Sequence, residues 1–283
     1  MVKIGTMYNS NLYRLKQFLK KGGLRLFRNL QLRTLALNRY INLKKKEISN
    51  ISEKIKNTES YENDKILVII SCHTEDKLRF ASIETIMNGL KEVEGIDILM
   101  VNSTNLHLSP VIKNMYKNQY IKYCEIPNDQ NYGFSKWYYG LSQIDYMNYK
   151  FVTFINDSIF THSSIKPFFD YTRFANVDLC GYNDSSQVTP HYQSYFFSIK
   201  STAIEQFKKM FNDNKPFVKS YMDAVFHYEL NLFNYFPNRD CFLKISHFPS
   251  QRSKNIFFEN DFCYLKLRNS GLLPFTKLRR MRM

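Results

Sequence analysis

The chain has 283 residues, of which 44% are hydrophobic and 16% aromatic, and its formal net charge is +15. This length is enough to bury a full core, and the aromatic content excludes general disorder. Five widely spaced cysteines without a C-x-x-C pair exclude a disulfide scaffold and a zinc site. No apolar run approaches the roughly 20 residues that span a bilayer, and Arg14 and Lys16 interrupt any N-terminal signal-like run. We therefore expect a cytoplasmic protein with reduced thiols.

The positive charge is concentrated near the N-terminus. Residues 1–63 hold 14 Lys and Arg against four Glu, a net charge of +10, and the remaining 220 residues carry +5. Through residues 9–43, apolar side chains recur at helical spacing with Arg and Lys between them, and Gly22-Gly23 breaks the stretch. Two interpretations stay open, a basic amphipathic segment that binds anionic lipid or nucleic acid and a helical hairpin packed on its own domain.

A polar stretch at 57–64 separates this basic segment from the rest of the chain. A short heptad-like pattern precedes it and ends at Ile55, under three heptads long. We therefore predict two parts, a basic helical N-terminal segment at 1–63 and a globular domain at 64–283.

Strands and helices alternate along the globular domain. Apolar runs predict strands at 66–70, 96–101, 121–126 and 150–156, and helical spacing predicts helices at 76–92 and 135–144. Such alternation predicts an α/β fold with a mostly parallel sheet covered on both faces. Further along, we expect strands at 179–182 and 191–199, and helices near 201–211 and 219–233.

A polar triplet, Asn156-Asp157-Ser158, ends the strand predicted at 150–156. Ligands of open α/β sheets collect outside the carboxyl ends of the strands. One carboxylate between two neutral oxygen donors suits Mg²⁺ or Mn²⁺. Taken alone, however, the triplet is more typical of a simple Asn-Asp-Ser turn.

Four stretches in one order resemble bacterial glycosyltransferases of the rhamnan synthesis protein F type. They are Asn-Tyr-Gly-Phe-Ser at 131–135, Asn-Asp-Ser at 156–158, His-Tyr-Gln-Ser-Tyr-Phe at 191–196, and Tyr228-Glu229 with Leu-Pro-Phe-Thr-Lys at 273–277. The resemblance covers about residues 65–280. It implies a GT-A-like, Rossmann-type α/β/α sandwich. The implied activity is transfer of a sugar from a nucleotide-sugar donor to a growing cell-surface glycan (capsule, lipopolysaccharide or wall polysaccharide).

One residue departs from the family pattern. The family has Asp after the Asn-x-Gly-x unit, and this chain has Ser135. If that Asp helps to hold the donor or a metal ion, the donor sugar or the metal dependence differs here.

The resemblance, with the chemistry of glycosyl transfer, implies a candidate site. Asp157 is the candidate ligand for a divalent cation (Mg²⁺ or Mn²⁺) that neutralises the leaving diphosphate. Three residues stay open as the base that deprotonates the acceptor hydroxyl: Asp223, His191 and Glu229. The candidate substrate-binding residues are Asn131, Gly133, Ser135, Asn156, Ser158, Gln193, Tyr195 and Lys277.

The spacing of these residues in the sequence leads to two expectations. His191, Gln193 and Tyr195 alternate along one predicted strand, so we expect them on the same face. Asp223 and Glu229 are six residues apart and do not share a helix face, so we expect only one of them to point into the site.

The expected partners are a nucleotide-sugar donor, a glycan or lipid-linked acceptor, and an anionic membrane surface reached through the N-terminal segment. The protein is then peripheral at the inner face of the membrane, and a homo-oligomer stays open. Two alternatives remain. The first is a non-catalytic interaction protein on a glycosyltransferase fold. The second, a nucleic-acid-binding protein, is disfavoured because the charge lies in the N-terminal segment and no nucleic-acid-binding motif occurs.

Overall fold

The computed structural model describes residues 24–56, 64–186, 188–246 and 262–278. The chain divides into two compact units, residues 1–46 and 47–283. Helix α1 spans Leu24–Lys56, which confirms the helical pattern over that range. The helix expected before Gly22 and the linker at 57–63 lie outside the described residues. The predicted boundary between 63 and 64 stays a prediction.

The first half of the larger unit forms a parallel sheet. Its strands are β1 (Ile66–Ser71), β2 (Ile96–Ser103), β3 (Lys122–Ile126) and β4 (Phe151–Asn156). Strand β1 lies between β2 and β4, and Ile66 is in register with both Ile96 and Phe151. Every residue of β1 is buried, as a continuous apolar run requires when both faces of a sheet are covered.

The second half of this unit extends the sheet with antiparallel and parallel neighbours. Its strands are β6 (Leu179–Ser185), β7 (His191–Tyr192), β8 (Phe196–Lys200) and β9 (Arg239–Leu243), with β5 (Ile159–Thr161) outside the sheet. The strand order is β3-β2-β1-β4-β8-β6-β7, with β9 also beside β6. Strand β8 is antiparallel to β4 and β6, and β9 is parallel to β6. The predicted α/β fold with a mostly parallel sheet is confirmed.

The single strand expected at 191–199 was wrong. Strand β7 ends at Tyr192 and β8 begins at Phe196, and both pair with β6 at different points along it. The ring of Tyr192 lies over Gly181, where a β-carbon would come within 2.3 Å of the ring. Residues 193–195 form no strand and separate β7 from β8. His191, Gln193 and Tyr195 still share contacts, since Gln193 lies 3.1 Å from His191 Nε2 and binds Lys277, which lies over the Tyr195 ring.

The helices of this unit are α2 (Lys77–Leu90), α3 (Ser109–Met115), α4 (Gly133–Leu141), α5 (Lys166–Phe174), α6 (Ile204–Asn214), α7 (Tyr221–Ala224), α8 (Leu232–Tyr235) and α9 (Phe262–Asn269). A π-helical turn, Val225–Glu229, follows α7. Single 3₁₀ turns lie at Tyr146–Asn148, Ser201–Ala203 and Lys215–Phe217. Strand β10 (Phe275–Lys277) pairs with β5 as a separate antiparallel ribbon.

An aromatic core fixes α4 on the sheet. Trp137 is 1% exposed, packs against Phe134, Phe154 and Phe197, and donates from Nε1 to the carbonyl of Ile155 at 3.2 Å. Because α4 is held in this way, its first turn lies at the carboxyl edge of the parallel strands.

None of the helices in the described ranges combines the length and the apolar character that crossing a bilayer requires. The five cysteines all lie in the described ranges, and none of them forms a disulfide bond.

Candidate active site

A cleft of about 330 Å³ opens at the carboxyl ends of β1 and β4. This is the edge at which open α/β sheets bind their ligands. Of the candidate site residues, seven line the cleft: Gly133, Asn156, Asp157, Ser158, Tyr195, Glu229 and Lys277. The fold therefore brings together residues from all four stretches that carried the family resemblance: Gly133, the triplet at 156–158, Tyr195, and Glu229 with Lys277.

Asp157 is buried at the base of this cleft, with 3% of the residue exposed. Its Oδ1 accepts a hydrogen bond from Arg79 Nη1 at 2.6 Å, and its Oδ2 accepts one from the backbone N–H of His73 at 2.5 Å. Burial raises the pKa of Asp157, and the Arg79 guanidinium and the His73 N–H partly oppose that rise. Both carboxylate oxygens are thus engaged by the protein itself.

The neighbours of Asp157 form a local turn. Asn156 Oδ1 accepts from the backbone N–H of Ser158 at 3.1 Å and also from the Ser158 hydroxyl. The backbone N–H of Asp157 donates to the carbonyl of Ser71 at 3.1 Å. These side chains satisfy one another, as expected for an Asx turn, while the carboxylate between them faces the cleft.

A divalent cation does not fit the surroundings of Asp157 well. Within the described ranges, no three His, Cys, Asp or Glu side chains converge as a metal-binding group. The side chain beside Asp157 is the Arg79 guanidinium, and Arg79 Nε also lies 3.5 Å from Glu75 Oε1. A guanidinium at 2.6 Å takes the place that a hard cation needs on the same oxygen. The predicted metal-binding role of Asp157 stays a prediction, and its neighbours do not support it.

Lys136 is a second basic residue that lines the cleft. Only 3% of the residue is exposed, and its Nζ donates to Asn128 Oδ1 at 3.0 Å. Burial lowers the pKa of Lys136, against the opposing effect of Asp157. A buried lysine rarely occurs without a partner, so its position in a cleft indicates a functional role.

Glu229 also lines the cleft and lies on the π-helical turn. The turn is closed by a hydrogen bond from the backbone N–H of Leu230 to the carbonyl of Val225 at 3.0 Å. Such turns occur frequently at functional sites. Glu229 Oε2 accepts from the hydroxyl of Ser194 and from its backbone N–H, the latter at 3.3 Å.

His191 contacts Glu229 and does not itself line the cleft. His191 Nδ1 lies 2.7 Å from the carbonyl of Thr189, and its Nε2 lies 3.4 Å from Glu229 Oε1. Burial lowers the pKa of His191, but the hydrogen bonds to Glu229 and Thr189 outweigh it, so the pKa of His191 is raised. Burial likewise raises the pKa of Glu229, but His191, Lys277 and Ser194 outweigh it, so the pKa of Glu229 is lowered. Each partner therefore favours the charged form of the other.

Lys277 also lines the cleft, and Gln193 binds it. Strand β10 places Lys277 opposite Ile159, two residues after Asp157. Lys277 Nζ donates to Gln193 Oε1 at 3.0 Å and lies 4.7 Å from the ring centre of Tyr195. The hydroxyl of Tyr195 points away and donates to Asn183. Gln193 therefore acts through Lys277 and His191.

Besides His191 and Gln193, three further candidate residues do not line the cleft. Asp223 caps α7, where its Oδ2 accepts from the Ser220 hydroxyl at 2.9 Å and from the Lys219 N–H at 3.1 Å. Asn131 and Ser135 instead hold the loop before α4, and both donate to the carboxylate of Asp129. Ser135 therefore replaces the family's Asp at a position where Asp129 already supplies a carboxylate.

The turn before α4 is strained. Tyr132 has φ +54° and ψ −125°, a conformation that a bulky side chain rarely adopts. The next residue, Gly133, lies so close to β1 that a β-carbon would come within 3.3 Å of Ser71 Oγ. The ring of Tyr132 meets that of Tyr221 edge-on at the cleft, with centres 5.7 Å apart. Strain of this kind clusters at functional sites.

The strand order and the cleft at the carboxyl edge define a GT-A-like, Rossmann-type α/β fold. No family model matches the chain, and no curated protein matches it. The family-level resemblance to rhamnan synthesis protein F therefore stays a prediction.

Distant likenesses occur among solved structures. They include S. aureus TarS 1–349 in complex with UDP-GlcNAc (14% identity, TM-score 0.44, 62% of this chain and 55% of that chain). The glycosyltransferase GlyE of Streptococcus pneumoniae TIGR4 gives 10% identity and a TM-score of 0.43, over 66% of this chain and 47% of that chain. The 4-diphosphocytidyl-2C-methyl-D-erythritol synthase of Anaerococcus prevotii DSM 20548 gives 12% identity and a TM-score of 0.44, over 64% and 87%. The chain spans about half of the length of the TarS and GlyE structures, and similarity this distant carries no argument about activity.

Proposed function

We propose that the protein is a glycosyltransferase that moves a sugar from a nucleotide-sugar donor to a hydroxyl group of a growing cell-surface glycan. The observation that carries the proposal is a single cleft lined by the basic side chains of Arg79, Lys136 and Lys277 and by the carboxylate of Glu229, whose lowered pKa favours the ionised form. A nucleoside diphosphate leaving group needs positive charge, and an attacking hydroxyl needs a base, so one cleft offers both.

The reaction that suits these basic side chains and this carboxylate is a displacement at the anomeric carbon of the donor sugar. The acceptor oxygen forms a bond to that carbon while the bond to the diphosphate oxygen breaks and leaves its electron pair on the phosphate. The proton of the acceptor hydroxyl passes to a carboxylate. Glu229 is the best placed of the three candidate bases because it lines the cleft, whereas His191 is 4% exposed behind it and Asp223 lies outside.

His191 is a positioning residue in this proposal. Its Nδ1 lies beside the carbonyl of Thr189, which orients Nε2 toward Glu229. The lowered pKa keeps Glu229 ionised, and therefore able to accept a proton, at neutral pH.

The acceptor is proposed to be a glycan or a lipid-linked glycan, met at an anionic membrane surface. Support comes from helix α1, which presents exposed leucines (Leu32, Leu35 and Leu43) together with exposed basic residues such as Arg33 and Arg39. Exposed leucines beside arginines are typical of helices that lie in the interface of anionic membranes.

Replacing Glu229 by Gln tests the proposal. The amide keeps the size of the side chain but accepts no proton, so we expect turnover to fall by about a hundredfold or more while donor binding is retained. Release of nucleoside diphosphate from a panel of nucleotide sugars measures turnover, and thermal shift measures donor binding. Glu205→Gln is the matched control, since Glu205 is exposed and pairs with Lys208 on the surface.

Full turnover in the Glu229→Gln protein would contradict the role of Glu229. Donor binding without turnover of any nucleotide sugar by the unaltered protein would instead favour the non-catalytic alternative.

A further inference from the structure

We propose that this protein holds the diphosphate of its donor with the side-chain cations Arg79 and Lys136 in place of a divalent metal ion, and that Asp157 positions Arg79. This inference rests on the proposed function, and it names the groups that neutralise the leaving diphosphate.

Arg79 has unused donors that face the cleft. A guanidinium carries five N–H groups in a planar fork that matches phosphate oxygens. Within the described ranges, the only side-chain hydrogen bond of Arg79 is the one from Nη1 to Asp157, while its buried Nε faces Glu75 Oε1 at 3.5 Å. Arg79 also lines the cleft. The remaining N–H groups on Nη1 and Nη2 are therefore available to an anion that enters.

Asp157 fixes the direction of this fork. One of its oxygens accepts from Arg79 and the other from the His73 N–H, so the carboxylate is clamped between α2 and the end of β1. Arg79 is itself held at the start of α2, where its backbone N–H donates to Asp76 Oδ1 at 2.8 Å. Asp157 thus has the contacts of a residue that orients a cation of the protein.

Lys136 supplies the second charge. Its ammonium group has three N–H donors, and in the described part of the chain it makes one hydrogen bond, to Asn128. Lys136 and Arg79 both line the cleft, and both lower the pKa of Asp157 electrostatically, so both cations lie near that carboxylate. Arginine and lysine together provide the hydrogen bonds and the charge that a diphosphate otherwise receives from a bound metal ion.

A metal ion at Asp157 would meet an unfavourable environment. It would have to displace or approach the guanidinium at 2.6 Å, and like charges repel strongly in a partly buried site. Glu75, a further carboxylate of the cleft, already faces Arg79 Nε at 3.5 Å.

Calorimetric titration of the full chain with UDP, GDP and dTDP, each in EDTA and in excess Mn²⁺, tests the inference. We expect one of these probes to bind equally well, within about twofold, in both solutions. We expect Lys136→Met to weaken that binding by about tenfold or more in EDTA, because a charge-assisted hydrogen bond is lost. Lys209→Met is the matched control, since Lys209 is exposed and pairs with Asp213.

Arg79 requires a paired variant, since removing it alone leaves Asp157 buried without its cation. The double variant Arg79→Gln with Asp157→Asn removes both charges and keeps hydrogen-bonding groups of similar size. We expect it to lose at least about tenfold in binding while its unfolding temperature stays close to that of the unaltered protein.

The outcomes separate this inference from the proposed function. Binding that requires Mn²⁺ overturns the inference and leaves the proposed function standing. Binding in EDTA that neither variant weakens also overturns the inference alone. Binding of no probe in either solution overturns both.

Discussion

Glu229 and His191 form a pair whose contacts depend on a single proton. With Nδ1 donating to Thr189, the neutral ring has an unprotonated Nε2 that accepts from Gln193 Nε2 at 3.1 Å. The protonated ring instead donates from Nε2 to Glu229 Oε1 at 3.4 Å. These two contacts compete for one nitrogen. The raised pKa of His191 favours the contact with Glu229, so the proton holds the carboxylate in place.

This pair gives a prediction for stability against pH. The pKa of His191 lies above its ordinary value of 6.5, so its stabilisation is full below 6.5 and is lost as pH rises through the raised pKa. The pKa of Glu229 lies below its ordinary value of 4.5, so its stabilisation is full above 4.5 and is lost as pH falls through the lowered pKa. Both contributions are complete only between these two values.

We therefore expect the unfolding temperatures of the unaltered protein and of His191→Asn to differ most between pH 4.5 and 6.5. Calorimetry across this range and on either side of it measures the difference. His107→Asn is the control, since His107 is exposed. A difference that is constant with pH would show that His191 stabilises by packing alone.

Helix α4 is the element that connects the core to the cleft. Its first residue, Gly133, and its fourth, Lys136, line the cleft, while Gly140 lies against the sheet. A β-carbon at Gly140 would come within 2.8 Å of Ile69 Cγ2 and 3.0 Å of Leu99 Cδ2. The absence of a side chain at Gly140 thus sets how closely the helix approaches β1 and β2.

We expect Gly140→Ala to destabilise the protein by about 1 to 3 kcal/mol, because the added methyl group overpacks the contact with the sheet. Urea unfolding measures this change, and Ser142→Ala, an exposed change at the end of the same helix, is the control. An alanine that raises stability, as helix propensity alone predicts, would contradict the packing argument.

The elements could be predicted from sequence where one signal dominates. The run Ile66–Ile70 predicts β1 because a continuous apolar run needs cover on both faces. The run at 191–199 predicts a strand equally well, but β7 and β8 pair with different parts of β6, and residues 193–195 lie between them. Local pattern therefore gives the elements and misses an interruption that tertiary packing imposes.

The site could be predicted only in part for the same reason. Asp157 and Glu229 were found because each belongs to a stretch that resembles a known family. Arg79 and Lys136 belong to no motif, and their importance follows only when two separate helices meet at one edge of the sheet. A basic residue in the first turn of a helix that follows a predicted strand was the one available signal.

At the scale of the whole molecule, most of the net positive charge and the residues of the candidate site lie in different parts of the sequence. Residues 1–63 carry +10 of the total +15. Among the described residues, Arg79, Lys136 and Lys277 line the cleft together with the carboxylates of Asp157 and Glu229. We expect the excess charge of the N-terminal segment to act in attraction to a surface rather than in the site.

We expect the N-terminal segment to attach the protein to anionic vesicles. Each basic residue at such a surface contributes about 1 kcal/mol, so changing Arg33, Arg39, Lys45 and Lys46 to Gln weakens binding on the order of a thousandfold. Co-sedimentation with vesicles of phosphatidylserine and phosphatidylcholine measures it. The same number of changes at exposed lysines of the larger unit (Lys91, Lys113, Lys117 and Lys209) is the control, and an equal loss there would assign attachment to total charge.

The π-helical turn at Val225–Glu229 has a consequence for how this segment tolerates changes in length. A π turn holds one more residue than an α turn, so it is equivalent to a one-residue insertion in a helix. Phe226 is 51% exposed and contributes little to packing, whereas Tyr228 and Leu232 are fully buried. Deleting the exposed Phe226 would let this turn close as an ordinary α turn, with the buried side chains on either side keeping their places. We therefore expect this turn to tolerate the loss of one residue, whereas the same deletion in a regular helix of the core would rotate one side by about 100°.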